Sequence, residues 1–166
     1  MSEPQELTPV TIQDWTDATR AAVEEFATTA LGYSDVEFRV YDQDQLPDGV
    51  SGAYIPMVSE GVSVQIGVIA RSQGCEEIAR ALLCMEPEDG ELDPSDMVDA
   101  LGEIVNILAG VVKGRLIERE PSIRLGLPVF LHGRIELNGS YEHSVTQMSL
   151  GPVDAQLHII RQSYNG

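Results

Sequence analysis

Three polar side chains, Asp99, Glu103 and Asn106, interrupt an otherwise apolar stretch, DALGEIVNILAGVVKG, that runs from Asp99 to Gly114. At about 100° per residue on a helix, with Asp99 set to zero, Glu103 falls near about 40° and Asn106 near about 340°, so the three share one stripe. A carboxylate in that position can serve as a general base, whereas an amide is hardly basic but both donates and accepts hydrogen bonds. Lys113 falls on the same stripe, as do Gly102, Gly110 and Gly114. Leu101, Ile104, Val105, Ile107, Leu108, Val111, Val112 and Leu116 fill the rest of the circumference. Such a helix is buried nearly all round and opens along one narrow strip. Each glycine in a helix interior costs about 1 kcal/mol relative to alanine. Two readings offset that cost: another surface approaches the strip, or Gly102 or Gly110 allows close packing inside the same domain.

The elements that must hold this strip are legible in outline. The helix carrying it has a clear start, with Asp93 as N-cap, Pro94 at the first helical position and Asp96 in the first turn, and is expected to run to about Leu116. An earlier helix begins at Thr11, where Thr11 and Asp14 have capping-box spacing, and ends near Gly32. A further helix spans about Ser72 to Met85. Between them, residues 36–42, 50–58 and 62–70 read as strands, the last two joined by a Ser59-Glu60-Gly61 hairpin turn. In SIRLGLPVFLHG the alternation puts Ile123, Leu125, Leu127, Val129 and Leu131 on one buried face. Asn138-Gly139 signals a turn, and residues 143–150 and 153–161 complete the strands. The expected class is α+β: an antiparallel β-sheet packed with about three α-helices. Residues 1–10 read as a polar tail and 11–166 as a single domain.

Composition narrows the function. The formal charge is -17, with one lysine and nine arginines against 27 acids, which excludes the clustered cations that a nucleic-acid partner requires. A hydrophobic fraction of 43% is that of a folded chain. The first ten residues lack the basic and apolar regions of a leader, and no apolar run approaches membrane-spanning length, so a cytoplasmic protein with no membrane partner is expected. Cys75 and Cys84, about 13 Å apart along one helix, read as buried free thiols. His132, His143 and His158 show no metal-ligand spacing, and no metal or cofactor bound by this chain is expected.

The pattern Asp99-x-x-x-Glu103-x-x-Asn106, with Gly110 following, resembles the CheX group of the CheC-type chemotaxis phosphatases, which act on the phosphorylated response regulator CheY. The flanks match as well. ALLCMEPEDGELDPSD precedes the helix, and Leu127-Pro128-Val129-Phe130-Leu131-His132-Gly133 follows it where the family has Leu-Pro-Thr-Val-Val-x-Gly. The threonine of that pattern is Val129 here. In the first helix Glu25-x-x-Thr28 lacks the asparagine of the two-site relatives, so one site is implied.

The resemblance implies hydrolysis of the aspartyl phosphate of a CheY-like receiver. In that role Asn106 holds the attacking water and Glu103 forms a salt bridge to the receiver's active-site lysine. Asp99, Gly102, Gly110 and Lys113 belong to the docking surface, and Mg2+ resides on the receiver. It also implies a homodimer formed through sheet edges. A non-catalytic receiver-binding or scaffold module is the alternative, and a small-molecule-binding domain is a weaker third. Receivers surround their phosphorylation site with acids, so a partner of charge -17 has no long-range steering toward them.

Overall fold

The structure is a computed structural model that describes residues 8–41, 48–136 and 139–164. Its elements follow the order α1 (Ile12–Thr29), β1 (Val36–Val40), β2 (Val50–Ser59), β3 (Val62–Arg71), α2 (Ser72–Leu82), α3 (Pro94–Leu116), β4 (Arg124–Leu125), β5 (Val129–Gly133), β6 (Glu142–Leu150) and β7 (Val153–Ser163). The strands form one seven-stranded sheet in the order β1-β6-β7-β3-β2-β4, with β5 also paired to β2, and every pairing is antiparallel. The three helices pack on one face, with α3 over β2 and in contact with both α1 and α2. This is the expected α+β architecture.

Alternation explains how the sheet meets the helices. Ala53, Ile55 and Met57 of β2, Val64, Ile66 and Val68 of β3, and Ala155, Leu157 and Ile159 of β7 are all buried in the main core. Trp15, Val23 and Phe26 of α1 and Leu101, Ile104, Val105, Leu108 and Val112 of α3 meet them from above. The Thr11–Asp14 capping box at the start of α1 is formed. Arg119 then ties Asp14 (3.0 Å) and the Pro9 carbonyl (3.0 Å) to the end of α3, holding the Asp14 carboxyl well below its usual range. Residues 1–7 of the expected tail lie outside the described residues, and Val10 is buried in the core.

Two expectations are corrected. Cys75 is buried, its thiol near the Ser51 carbonyl and pushed up to about 11 by burial, but Cys84 is exposed. The reason is that α2 ends at Leu82, short of the expected Met85, and Cys84 takes a left-handed turn conformation at φ 53° beyond it. The second correction concerns the run from Ile123 to Leu131, which is not one strand. Met57 pairs with Leu125 and Tyr54 with Val129, so three steps along β2 face four along the partner. That extra residue is a bulge, and it reverses which side chains face inward. Ile123 is buried and Leu125 and Phe130 pack on the core, while Leu127, Val129 and Leu131 are exposed. The Asn138-Gly139 turn signal falls partly outside the described residues.

The sheet face away from the helices carries a polar chain. Tyr54 Oη bonds His158 Nδ1 at 2.7 Å, His158 Nε2 bonds Gln156 Oε1 at 2.9 Å, and Gln156 Nε2 donates to Gln147 Oε1 at 3.4 Å. Because Gln156 Oε1 can only accept, the imidazole carries its proton on Nε2 and accepts from tyrosine on Nδ1. Burial, and secondarily His143, lowers the His158 pKa to about 4. The folded-state value is below the unfolded value of 6.5, so below pH 6.5 the unfolded chain takes up a proton that the folded chain refuses. Stability is therefore full above pH 6.5 and declines as pH falls toward 4, by about 3 kcal/mol at most. Thermal unfolding of wild type and His158→Gln between pH 7.5 and 5 checks this: the gap between the two should shrink with acidification.

Candidate functional site

The strip on α3 owes its position to the two ends of the helix. Asp93 caps the N-terminus, its carboxylate accepting from the Ser95 backbone N–H (2.8 Å) and hydroxyl (2.7 Å). Just before it, Arg80 donates to the carbonyls of Glu86 (2.6 Å) and Gly90 (2.7 Å), fixing the acidic connection that leads into the helix. Lys113 and Arg115 lie in the last turn, where cations suit the helix dipole, and Arg115 pairs with Glu25 of α1 at 3.3 Å. With its apolar circumference buried, α3 has little freedom to rotate, so the strip must face outward.

Asp99, Glu103 and Asn106 are all exposed, and among the described residues none of them has a hydrogen-bond or ion-pair partner. They line a groove of about 390 Å³ with Val98 and Gly102 on the helix side. Gly126, Leu127, Pro128 and Phe130 form the opposite wall. The structure thus brings four of the expected site residues together: Asp99, Gly102, Glu103 and Asn106. Gly110 and Lys113 share the strip but do not line the groove, Lys113 lying about 10 Å further along the axis from Asn106. Among the described residues no cluster of three His, Cys, Asp or Glu side chains is arranged to hold a metal ion. Nor is any helix among them long and apolar enough to cross a membrane.

The glycines on the strip are not explained by packing within the chain. A Cβ at Gly110 or Gly114 would meet nothing within 4 Å, and one at Gly102 would stand 3.5 Å from Pro128 Cβ, an ordinary contact. Alanine fits at all three. Gly110→Ala is expected to raise stability by about 1 kcal/mol, or roughly 2 to 4 °C in Tm for a domain of this size. Melting curves measure it.

The apolar wall was missed by the sequence pattern, which buried Leu127 on a continuous strand. The available signal was Gly126 and Pro128 on either side of it, since both residue types mark bulges and interrupted pairing. At Gly126 the requirement is steric: its N–H bonds the Pro56 carbonyl at 2.7 Å, and a Cβ there would stand 2.5 Å from Pro56 Cγ.

The groove between an acid-and-amide helix and a Leu-Pro bulge has a counterpart at the level of sequence families. The family model for the chemotaxis phosphatase CheX matches residues 52–149, more than half of the chain and inclusive of the whole groove. The chain belongs to the CheX family. Among curated proteins, none matches it significantly over its sequence. Solved structures with the same fold include a CheC-like superfamily protein from Shewanella sp. PV-4, 18% identical with a TM-score of 0.72, covering 90% of this chain and 98% of that one. The chemotaxis protein CheX from Vibrio vulnificus is 19% identical with a TM-score of 0.69, over 92% of this chain and 99% of that one. A chain of the CheX-CheY-BeF3-Mg2+ complex from Borrelia burgdorferi is 17% identical with a TM-score of 0.67, over 93% of this chain and 100% of that one. Chains of 16 to 19% identity to this one share its fold, and the family model independently carries the description of a chemotaxis phosphatase.

Proposed function

We propose that this CheX-family chain hydrolyses the aspartyl phosphate of a CheY-like receiver, with Asn106 orienting the attacking water and Glu103 anchoring the receiver. The observation that carries the reading is that the unpartnered Glu103 and Asn106 share a groove with the Leu127-Pro128 bulge, inside the segment matched by the phosphatase family model. The Borrelia relative's complex, which contains CheY, BeF3 and Mg2+, supports a receiver as the partner and the receiver as the holder of the metal.

An acyl phosphate on a receiver aspartate already sits among groups that stabilise the charge of phosphoryl transfer, Mg2+ among them. What such a site lacks is a water held in line with the phosphorus. Asn106 Oδ1 accepts a hydrogen bond from that water and its amide nitrogen donates to a neighbouring oxygen, fixing the water without deprotonating it. The water oxygen bonds to phosphorus, the bond to the aspartyl oxygen breaks, the aspartate leaves as carboxylate, and inorganic phosphate departs carrying the water's oxygen and both of its protons. Glu103, one turn toward the N-terminus on the same strip, pairs with the receiver's lysine. Asp99 and Gly102 border the contact, and Gly110 and Lys113 extend it along the helix.

A homodimer joined along a sheet edge belongs to the same reading. β1 pairs only with β6 and β5 only with β2 among the described residues, and the exposed Val40, Val129 and Leu131 lie on those two strands. The test of the whole reading is release of phosphate from a phosphorylated CheY-type receiver by wild type and by Asn106→Ala. Binding without accelerated release by wild type would instead favour the scaffold role.

A further inference from the structure

We infer that Leu127 is the apolar anchor of receiver docking, supplying the local attraction that the charge of this chain denies; the inference rests on the receiver reading above. Leu127 is 84% exposed, the highest value among the exposed large hydrophobic side chains of the described residues. It lies on the groove wall opposite Asp99, Gly102, Glu103 and Asn106, next to Pro128. An isolated exposed leucine needs no explanation in general. This one is held outward by its neighbours. On one side Gly126 is pressed onto Pro56 of β2, with no room for a Cβ and its N–H bonded to the Pro56 carbonyl at 2.7 Å. On the other, Pro128 restricts the backbone and Phe130 turns back toward the core. The bulge between Leu125 and Val129 reverses the inward face, so Leu127 cannot turn into the core without breaking that register.

The electrostatics of the groove explain why an apolar contact is required. Two acids, Asp99 and Glu103, line it, the strip's lysine lies outside it, and the whole chain carries -17. A receiver's phosphorylation site is itself surrounded by acids, so approach is opposed at long range and only contact terms can favour it. Leu127, with Pro128 beside it and Val98 on the helix side of the groove, offers apolar area beside the polar pair. Water excluded by that area also strengthens the Glu103 contact. The occupant is therefore a receiver face with an apolar patch next to its phosphorylated aspartate.

The experiment measures the Kd of a CheY-type receiver loaded with beryllofluoride and Mg2+ for wild type, Leu127→Ala, Leu127→Ser, Glu103→Ala and the control Leu83→Ala. Leu83 is 45% exposed at the end of α2 and does not line the groove. Expected is a loss of about 10-fold or more for both Leu127 variants, by the same factor at low and moderate salt, with Leu83→Ala unchanged. The factor for Glu103→Ala should shrink as salt rises. Melting temperatures close to wild type show that the variants fold. Affinity within about twofold of wild type in both Leu127 variants overturns the inference, as does a loss that salt removes. A loss that follows dissociation of a dimer, read by light scattering, also overturns it, because the occupant of the groove would then be a second copy. If wild type neither binds nor dephosphorylates the receiver, the receiver reading fails first and this inference with it.

Discussion

Asn106→Ala should leave a folded protein that still binds the phosphorylated receiver and releases phosphate from it at least about 100-fold more slowly. The size follows from what is lost. A water no longer held in line must find that geometry by chance, and misplacing a reacting group by about an ångström is enough for a loss of that order. The variant is clean because Asn106 is exposed and has no hydrogen-bond or ion-pair partner among the described residues. Alanine is also the better helix former, so stability should move by no more than about 0.5 kcal/mol. Phosphate release measured against receiver concentration separates the roles: Asn106→Ala lowers the maximal rate, while Glu103→Ala raises the concentration required. Full activity in Asn106→Ala would sink the proposed mechanism, whatever the affinity.

The parts of this site that a sequence reveals are those set by local chemistry. Asp93, Pro94 and Asp96 marked the start of α3 because each suits a helix N-terminus wherever one occurs, and the structure begins the helix at Pro94 and ends it at Leu116. The strip of Asp99, Glu103 and Asn106 followed from periodicity alone, since nothing but helical spacing is needed to put them on one face. The opposite wall was illegible for the complementary reason. Whether Leu127 points in or out depends on how residues 124–133 pair with β2, some seventy residues earlier in the chain, and a single extra residue in that ladder reverses the answer. Alternation across Ile123, Leu125, Leu127, Val129 and Leu131 was a true pattern attached to a false premise of unbroken pairing. The hydrogen bond between Tyr54 and His158 is more distant still, joining residues 104 apart that meet only once β3 has come between their strands.

Gly52→Ala is expected to be the most damaging small substitution, costing about 3 kcal/mol and lowering Tm by roughly 6 to 12 °C. On the face of the sheet away from the helices, large and absent side chains alternate between β2 and β3: Gly52 pairs with Ile69, and Tyr54 pairs with Gly67. A Cβ on Gly52 would stand 2.1 Å from the Val68 carbonyl oxygen and 2.7 Å from Ile69 Cδ1. The isoleucine can yield, but the carbonyl cannot, because β3 is paired on both sides, to β2 and to β7. Gly67→Ala should be milder, since the atoms it meets at 2.4 to 2.8 Å belong to the Tyr54 ring, which can swing away at the cost of its bond to His158. Chemical denaturation of the two variants beside Gly110→Ala orders the three. A methyl group added on the groove strip should stabilise, one under the tyrosine should cost moderately, and one against the β3 backbone should cost most. That order separates glycines required by the fold from those the fold would exchange for alanine, and only the latter call for a partner to explain them. If Gly52→Ala unfolds no more readily than wild type, the β3 backbone yields at the Val68 carbonyl, and Gly52 joins the glycines the fold would exchange for alanine.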